Sequence, residues 1–129
     1  MFSHVMVGSN DLDASKKFYD AIFTATGGKE GRVDPKGRIF YLKDGCSFLV
    51  TKPIDGEPST HGNGSTIGFA VSGPEQAQAW LDAGVAAGGT AIEDPPGVRS
   101  GMGVNLYLAY LRDPSGNKLC ALHRMPNDE

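Results

Sequence analysis

The sequence predicts an α+β fold made of two similar halves joined by a linker. Three observations predict it. The chain has 129 residues, the size of one ordinary domain, and 40% of them are apolar, enough to bury one core. Residues 4–19, HVMVGSNDLDASKKFY, can be written above residues 66–81, TIGFAVSGPEQAQAWL. Each segment is an apolar strand-like run, a polar break and a helix-like stretch, with His4 over Thr66 and Phe18 over Trp80. The halves also end alike: IFYLKDGCSFLV (39–50) resembles LAYLRDPSGNKLCAL (108–122). In that match Tyr41 stands over Tyr110, and Leu49 over Cys120.

The elements follow in order. Residues 3–8 read as a strand. Asn10 or Asp11 then caps a helix, since a short polar side chain accepts from the free N–H groups of the first turn. Ser15, Phe18, Tyr19 and Ile22 recur at helical spacing and predict a helix over 12–25, ended by Gly27-Gly28. Strands 38–42 and 46–51 flank Lys43-Asp44-Gly45, a hairpin turn because Asp-Gly tolerates positive φ. Residues 53–64, rich in Pro, Gly and polar side chains, form the linker between halves at about 1–52 and 65–125.

The second half repeats the order. Residues 65–72 are a strand, and Pro74 suits the first helical position, where its missing N–H costs nothing. Ala77, Trp80 and Leu81 make the apolar helix face, and Gly88-Gly89 ends it. Residues 89–94 form a strand, 95–104 a Gly-rich loop, and 105–113 with 117–123 the last hairpin. Each half is too small to bury a sheet on both faces. The two sheets are therefore expected to merge into one curved surface, with helices outside and a concave pocket inside.

Composition excludes several classes. Net charge is −3, and the twelve basic residues are scattered apart from Lys16-Lys17. No basic face for nucleic acid or an acidic membrane is expected. No run of 18 apolar residues could cross a bilayer as a helix. The N-terminal MFSHVMVGSND lacks the basic segment of a signal peptide. Two cysteines, Cys46 and Cys120, are no disulfide framework, so a reduced pair in the cytoplasm is expected.

The opening HVMVGSNDLDASKKFY and the closing YLAYLRDPSGNKLCAL resemble the vicinal oxygen chelate superfamily, which includes glyoxalase, bleomycin-resistance proteins and extradiol dioxygenases. The second motif, a strand followed by Asp-Pro-x-Gly-Asn and another strand, is the more specific. The resemblance spans nearly the whole chain. It implies two βαβββ modules forming one curved, eight-stranded mixed sheet, and a homodimer. It also implies a cleft in which enzymes of the family hold a divalent metal through His, Glu or Gln. Carried over by position, His4 keeps a ligand type, whereas Leu49, Thr66 and Cys120 stand where the other three ligands are usual. A metal held by His4 and Cys120 is the most this set offers; the standard site is incomplete, and a metal cofactor is not favoured.

The remaining candidates line the expected cleft. Arg99, in the Gly-rich loop, would clamp a carboxylate or phosphate. Tyr107 or Tyr110 would offer a hydroxyl, Leu49 and Thr66 would form the wall, and Phe48 and Phe69 would be core or pocket aromatics. His61 reads as a surface linker residue. The expectation is a protein that binds a small molecule in the cleft between the modules. The alternative is a glyoxalase-like lyase or isomerase, or a dioxygenase-related enzyme, using His4 as acid–base group or in an unusual metal site.

Overall fold

The computed structural model describes residues 1–126. The first half runs β1 (His4–Gly8), α1 (Leu12–Ala25), β2 (Arg32–Val33), β3 (Ile39–Lys43) and β4 (Cys46–Thr51). The second runs β5 (Ile67–Ala70), α2 (Pro74–Ala86), β6 (Thr90–Ala91), β7 (Gly97–Gly101), β8 (Val104–Arg112) and β9 (Lys118–Met125). Helix α1 begins where its cap predicts: Asp11 accepts from the Ala14 N–H at 3.1 Å. Helix α2 has no side-chain bond from Gly73 at its cap; Pro74 opens it, and Gln76 reaches back to the Ser72 N–H at 2.7 Å.

The fold is α+β, but the strands form two hydrogen-bonded sheets rather than the single sheet expected. Their orders are β1-β4-β3-β2 and β5-β9-β8-β6, with β7 also on β8. Strands β6 and β7 pair with different stretches of β8, residues 111–112 and 104–108, so the second sheet has five strands. Half of the segment expected as the loop 95–104 is strand β7, hidden in the sequence by Gly97, Gly101 and Gly103.

The helices join the two sheets in one core. In α1, Ser15, Phe18, Tyr19, Ile22 and Phe23 are all buried, a stripe wide enough to touch two neighbours. One core cluster takes in α1, α2 and one face of each sheet: Ile39, Tyr41, Phe48 and Val50 from the first, Ala109, Leu111, Leu119 and Ala121 from the second. The two helices thus pack together and cover one face of each sheet, so the halves share one core. The opposite face of the first sheet is left open, with Met6 41%, Phe40 37% and Leu42 73% exposed. Gly84 permits the close approach of α2. A Cβ there would lie 2.4 Å from Leu111 Cδ1 and 3.2 Å from Ile22 Cγ2.

The repeat is visible in the register. Val5 pairs with Phe48 and Val7 with Val50, while Ile67 pairs with Leu119 and Phe69 with Ala121. Met6 opposite Leu49 and Gly68 opposite Cys120 complete the match of first and last strands. The match of Tyr41 with Tyr110 fails by one residue. Tyr41 pairs with Phe48 and faces the core, whereas Tyr110 pairs with Cys120 on the other face. Two residues separate the paired Lys43 and Cys46, and five separate Arg112 and Lys118, so the second turn is three residues longer. An odd insertion reverses which residues face inward.

The long turn locks the halves. Asp113, 4% exposed, accepts at Oδ2 from the Tyr19 hydroxyl (2.6 Å) and Asn117 Nδ2 (2.8 Å). At Oδ1 it accepts from the backbone N–H groups of Ser115 and Asn117, both at 2.9 Å. Asn117 Nδ2 also donates to the Gly8 carbonyl at 2.8 Å, and the Asn10 N–H donates to Ser115 Oγ at 2.9 Å. Burial pushes the Tyr19 hydroxyl far above its ordinary pKa, and the Asp113 charge adds to this, so it remains a donor.

Three outcomes test this account. Tyr19→Phe leaves Asp113 short of one charge-assisted bond and should cost about 2 kcal/mol in urea unfolding. Gly84→Ala should lower stability by about 1–2 kcal/mol, because overpacking outweighs a helix-propensity gain of about 1 kcal/mol; a rise in stability would show the contact is loose. Asp20 supplies the pH test. Burial tends to raise its pKa, but bonds from the Gly31 N–H, Lys16 and the Tyr41 hydroxyl lower it on balance. Its stabilising contribution is present above the unfolded value of about 4 and lost as pH falls through the lower folded value. Asp20→Asn should therefore flatten the loss of stability below about pH 4 in acid titrations followed by circular dichroism.

Candidate functional site

A cavity of about 310 Å³ lies at the seam, beside the edge strands β1 and β5. Its apolar walls are Val5, Phe23, Phe48, Ile67, Phe69 and Trp80; Ser3, His4, Lys43, Asp44 and Ser47 contribute polar groups. The walls exist because the core-facing alternation of β1, β4 and β5 meets the helices here. Phe69 stands edge-on to Phe23 and Phe48, with ring centres 5.2 and 5.3 Å away and interplanar angles of 83° and 82°.

The polar groups are largely engaged. The His4 ring lies 2.8 Å from Ser3 Oγ through Nδ1, leaving Nε2 uncommitted within the protein. Lys43 Nζ donates to the Thr26 carbonyl at 2.7 Å, satisfying the C-terminal end of α1. Asp44, in the hairpin turn, has φ 53°, a turn conformation that Asp tolerates. Lys43 and Asp44 offset one another, so the cavity carries little net charge.

Of the residues singled out from sequence, His4 and Phe48 line this cavity. Leu49, 4% exposed, sits on the opposite face of the first sheet against Met6 and Phe40. Thr66 is exposed just before β5. Tyr107 packs against the core cluster. Arg99 is committed to its own strand, its Nη2 donating to the carbonyls of Asp94 (3.2 Å) and Pro95 (2.9 Å). Tyr110 and Cys120 pair across β8 and β9. Phe69, expected with Phe48 as a core or pocket aromatic, also lines the cavity, whereas the reasoning from sequence missed Phe23, Ile67 and Trp80. The match of Phe18 with Trp80 marked that position as core, but nothing local showed that it also reaches the cavity.

Of the four expected metal positions, only His4 and Cys120 carry a ligand type. Leu49 stands on the first sheet and Cys120 on the second, each on the face opposite the shared core. Among the described residues no group of three or more His, Cys, Asp or Glu side chains could hold a metal ion. Burial pushes the Cys120 thiol above its ordinary pKa, only partly offset by a bond from Tyr110, so it is a neutral thiol rather than a thiolate. The residues present do not fit the divalent metal of the family's enzymes.

Comparison with known proteins agrees with the architecture. The profile of the Glyoxalase/Bleomycin resistance protein/Dioxygenase superfamily matches residues 1–121. A crystal structure of a glyoxalase/bleomycin resistance protein from Albidiferax ferrireducens T118 is 58% identical, with a TM-score of 0.92 over 96% of this chain and 99% of that one. A glyoxalase/bleomycin resistance protein/dioxygenase family enzyme from Burkholderia phytofirmans PsJN shares the fold at 18% identity, with a TM-score of 0.71 over 95% and 98% of the two chains. A hypothetical protein from S. aureus does so at 19% identity, with a TM-score of 0.70 over 95% and 92%. No functionally curated protein matches the sequence. The two-half repeat, its conserved register and the superfamily match together place this chain in the glyoxalase/bleomycin resistance protein/dioxygenase superfamily.

Proposed function

We propose that the protein binds a small, mainly apolar molecule in the cavity between its two halves, without a metal ion. The observation that carries this reading is the cavity itself: about 310 Å³, walled by aromatic rings, with its polar groups grouped around His4 and Lys43. That volume lies at the lower end of ordinary ligand sites. Bleomycin resistance, named in the superfamily, is the kind of role that needs binding alone.

A second reading rests on His4. With Nδ1 held by Ser3 Oγ, the ring keeps Nε2 for proton exchange with a bound molecule, as a lyase or isomerase would require. We also place the protein in the cytoplasm as a homodimer. The exposed free thiol of Cys46 suits a reducing compartment. The open apolar face around Met6, Phe40 and Leu42 is large for a surface left in water.

Filling the cavity tests the first reading. Ala70→Phe should abolish the thermal stabilisation that small aromatic compounds give the parent protein. Equal stabilisation of the variant would move the site elsewhere. For the second reading, His4→Ala should abolish turnover of an α-keto thiohemiacetal with little change in melting temperature; unchanged turnover sinks it.

A further inference from the structure

Strand register sets a fixed cation on the bare face of the second sheet. Ala109, Leu111, Leu119 and Ala121 belong to the core, so the residues that alternate with them in β8 and β9 lie on the opposite face. Gly97, Leu108, Leu122 and Ala70 pair in one row across β7, β8, β9 and β5 on that face. In the next row Arg99 and Arg124 flank Leu106. Arg99, half-buried, leans back along its strand over Gly97, where an added Cβ would lie 3.2 Å from Nη1. Its Nη2 is spent on the carbonyls of Asp94 and Pro95, which hold the guanidinium in place. The N–H groups of Nε and Nη1 keep no such bond among the described residues, and no carboxylate there forms an ion pair with Arg99.

The chemistry of the face follows. A guanidinium that is held in position and lacks a counter-charge selects an anion, and a carboxylate matches its N–H geometry. The row beside it is aliphatic and contains no ring, which suits a saturated chain. Gly97 and Ala70 stand low at its two ends, and Ala70 with Gly68 is exposed, so no described segment covers the far end. Three strand spacings of about 4.8 Å give the row a length of about 14 Å, the reach of an extended chain of about ten carbons.

We infer that this face binds an aliphatic carboxylic acid of up to about ten carbons, with its carboxylate on Arg99 and its chain along Leu108, Leu122 and Ala70. The site is separate from the seam cavity, which shares only Ala70 with this row, and the two readings stand or fall independently. Gly97 has a defined part in it: the missing side chain leaves the guanidinium room to lie beside Leu108.

Three probes test it: octanoate, octan-1-ol and acetate, titrated by calorimetry and by the methyl signals of ¹³C-labelled protein. Octanoate should bind about tenfold more tightly than either of the others and move the methyl signals of Leu108 and Leu122. Arg99→Gln should bring octanoate down to the affinity of octan-1-ol, while Arg99→Lys, which keeps the charge, should retain part of the difference. Equal binding of octanoate and octan-1-ol to the parent protein, or a preference that survives Arg99→Gln, overturns the role of Arg99. Acetate binding as tightly as octanoate would leave an ion site without a chain site. Shifts confined to Ile67, on the wall of the seam cavity, would move the acid there and overturn the assignment to this face. Binding of none of the three also overturns it. The comparison of probes is made on the parent protein, so the test does not depend on either variant folding.

Discussion

The buried carboxylate of Asp113 is the constraint around which the two halves are arranged. A carboxylate removed from water is expensive unless every lone pair finds a donor. Its donors come from its own turn and from Tyr19 on α1, so the charge is satisfied only when the last hairpin is docked against the first helix. Asn117 extends the link to Gly8 at the end of β1. The Asp-Pro-Ser-Gly-Asn turn is therefore a clasp between the start of the chain and its end, as well as a reversal between two strands.

That clasp holds the last hairpin against α1 and the end of β1, and the cavity lies where the two halves then meet. Once α1 and α2 share a core, the edge strands β1 and β5 lie beside the seam without being joined to each other. The rings of Phe48 and Phe69 bridge the gap but do not fill it. The space is thus bounded by residues of both halves, and its aromatic lining is the rim of the core.

Much of this was legible in the sequence. Helix α1 was readable to the residue because Asp11, the Phe18–Tyr19–Ile22 spacing and Gly27 all act locally. The repeat gave the pairing of first and last strands, since strand register follows from alternation. What was not legible depends on long-range choices. Nothing within either half says which residues of the other will meet it, so the cavity walls Phe23, Ile67 and Trp80 and the bonds of Arg99 to the carbonyls of Asp94 and Pro95 could not be read locally. His4 and Phe48 lie at the seam, near the edge strand itself. Strand β7 was hidden by its glycines, and β2 is too short to show a period.

The three-residue difference between the hairpin turns has a wider meaning. The two halves are almost superimposable in their pairing, yet the same Tyr-Leu dipeptide points its tyrosine inward at Tyr41 and outward at Tyr110. A duplicated module can therefore acquire a new inner surface by lengthening a loop by an odd number of residues, with no substitution inside the strand. In such a protein, the two copies diverge in chemistry by a shift of reading parity before any residue need be replaced.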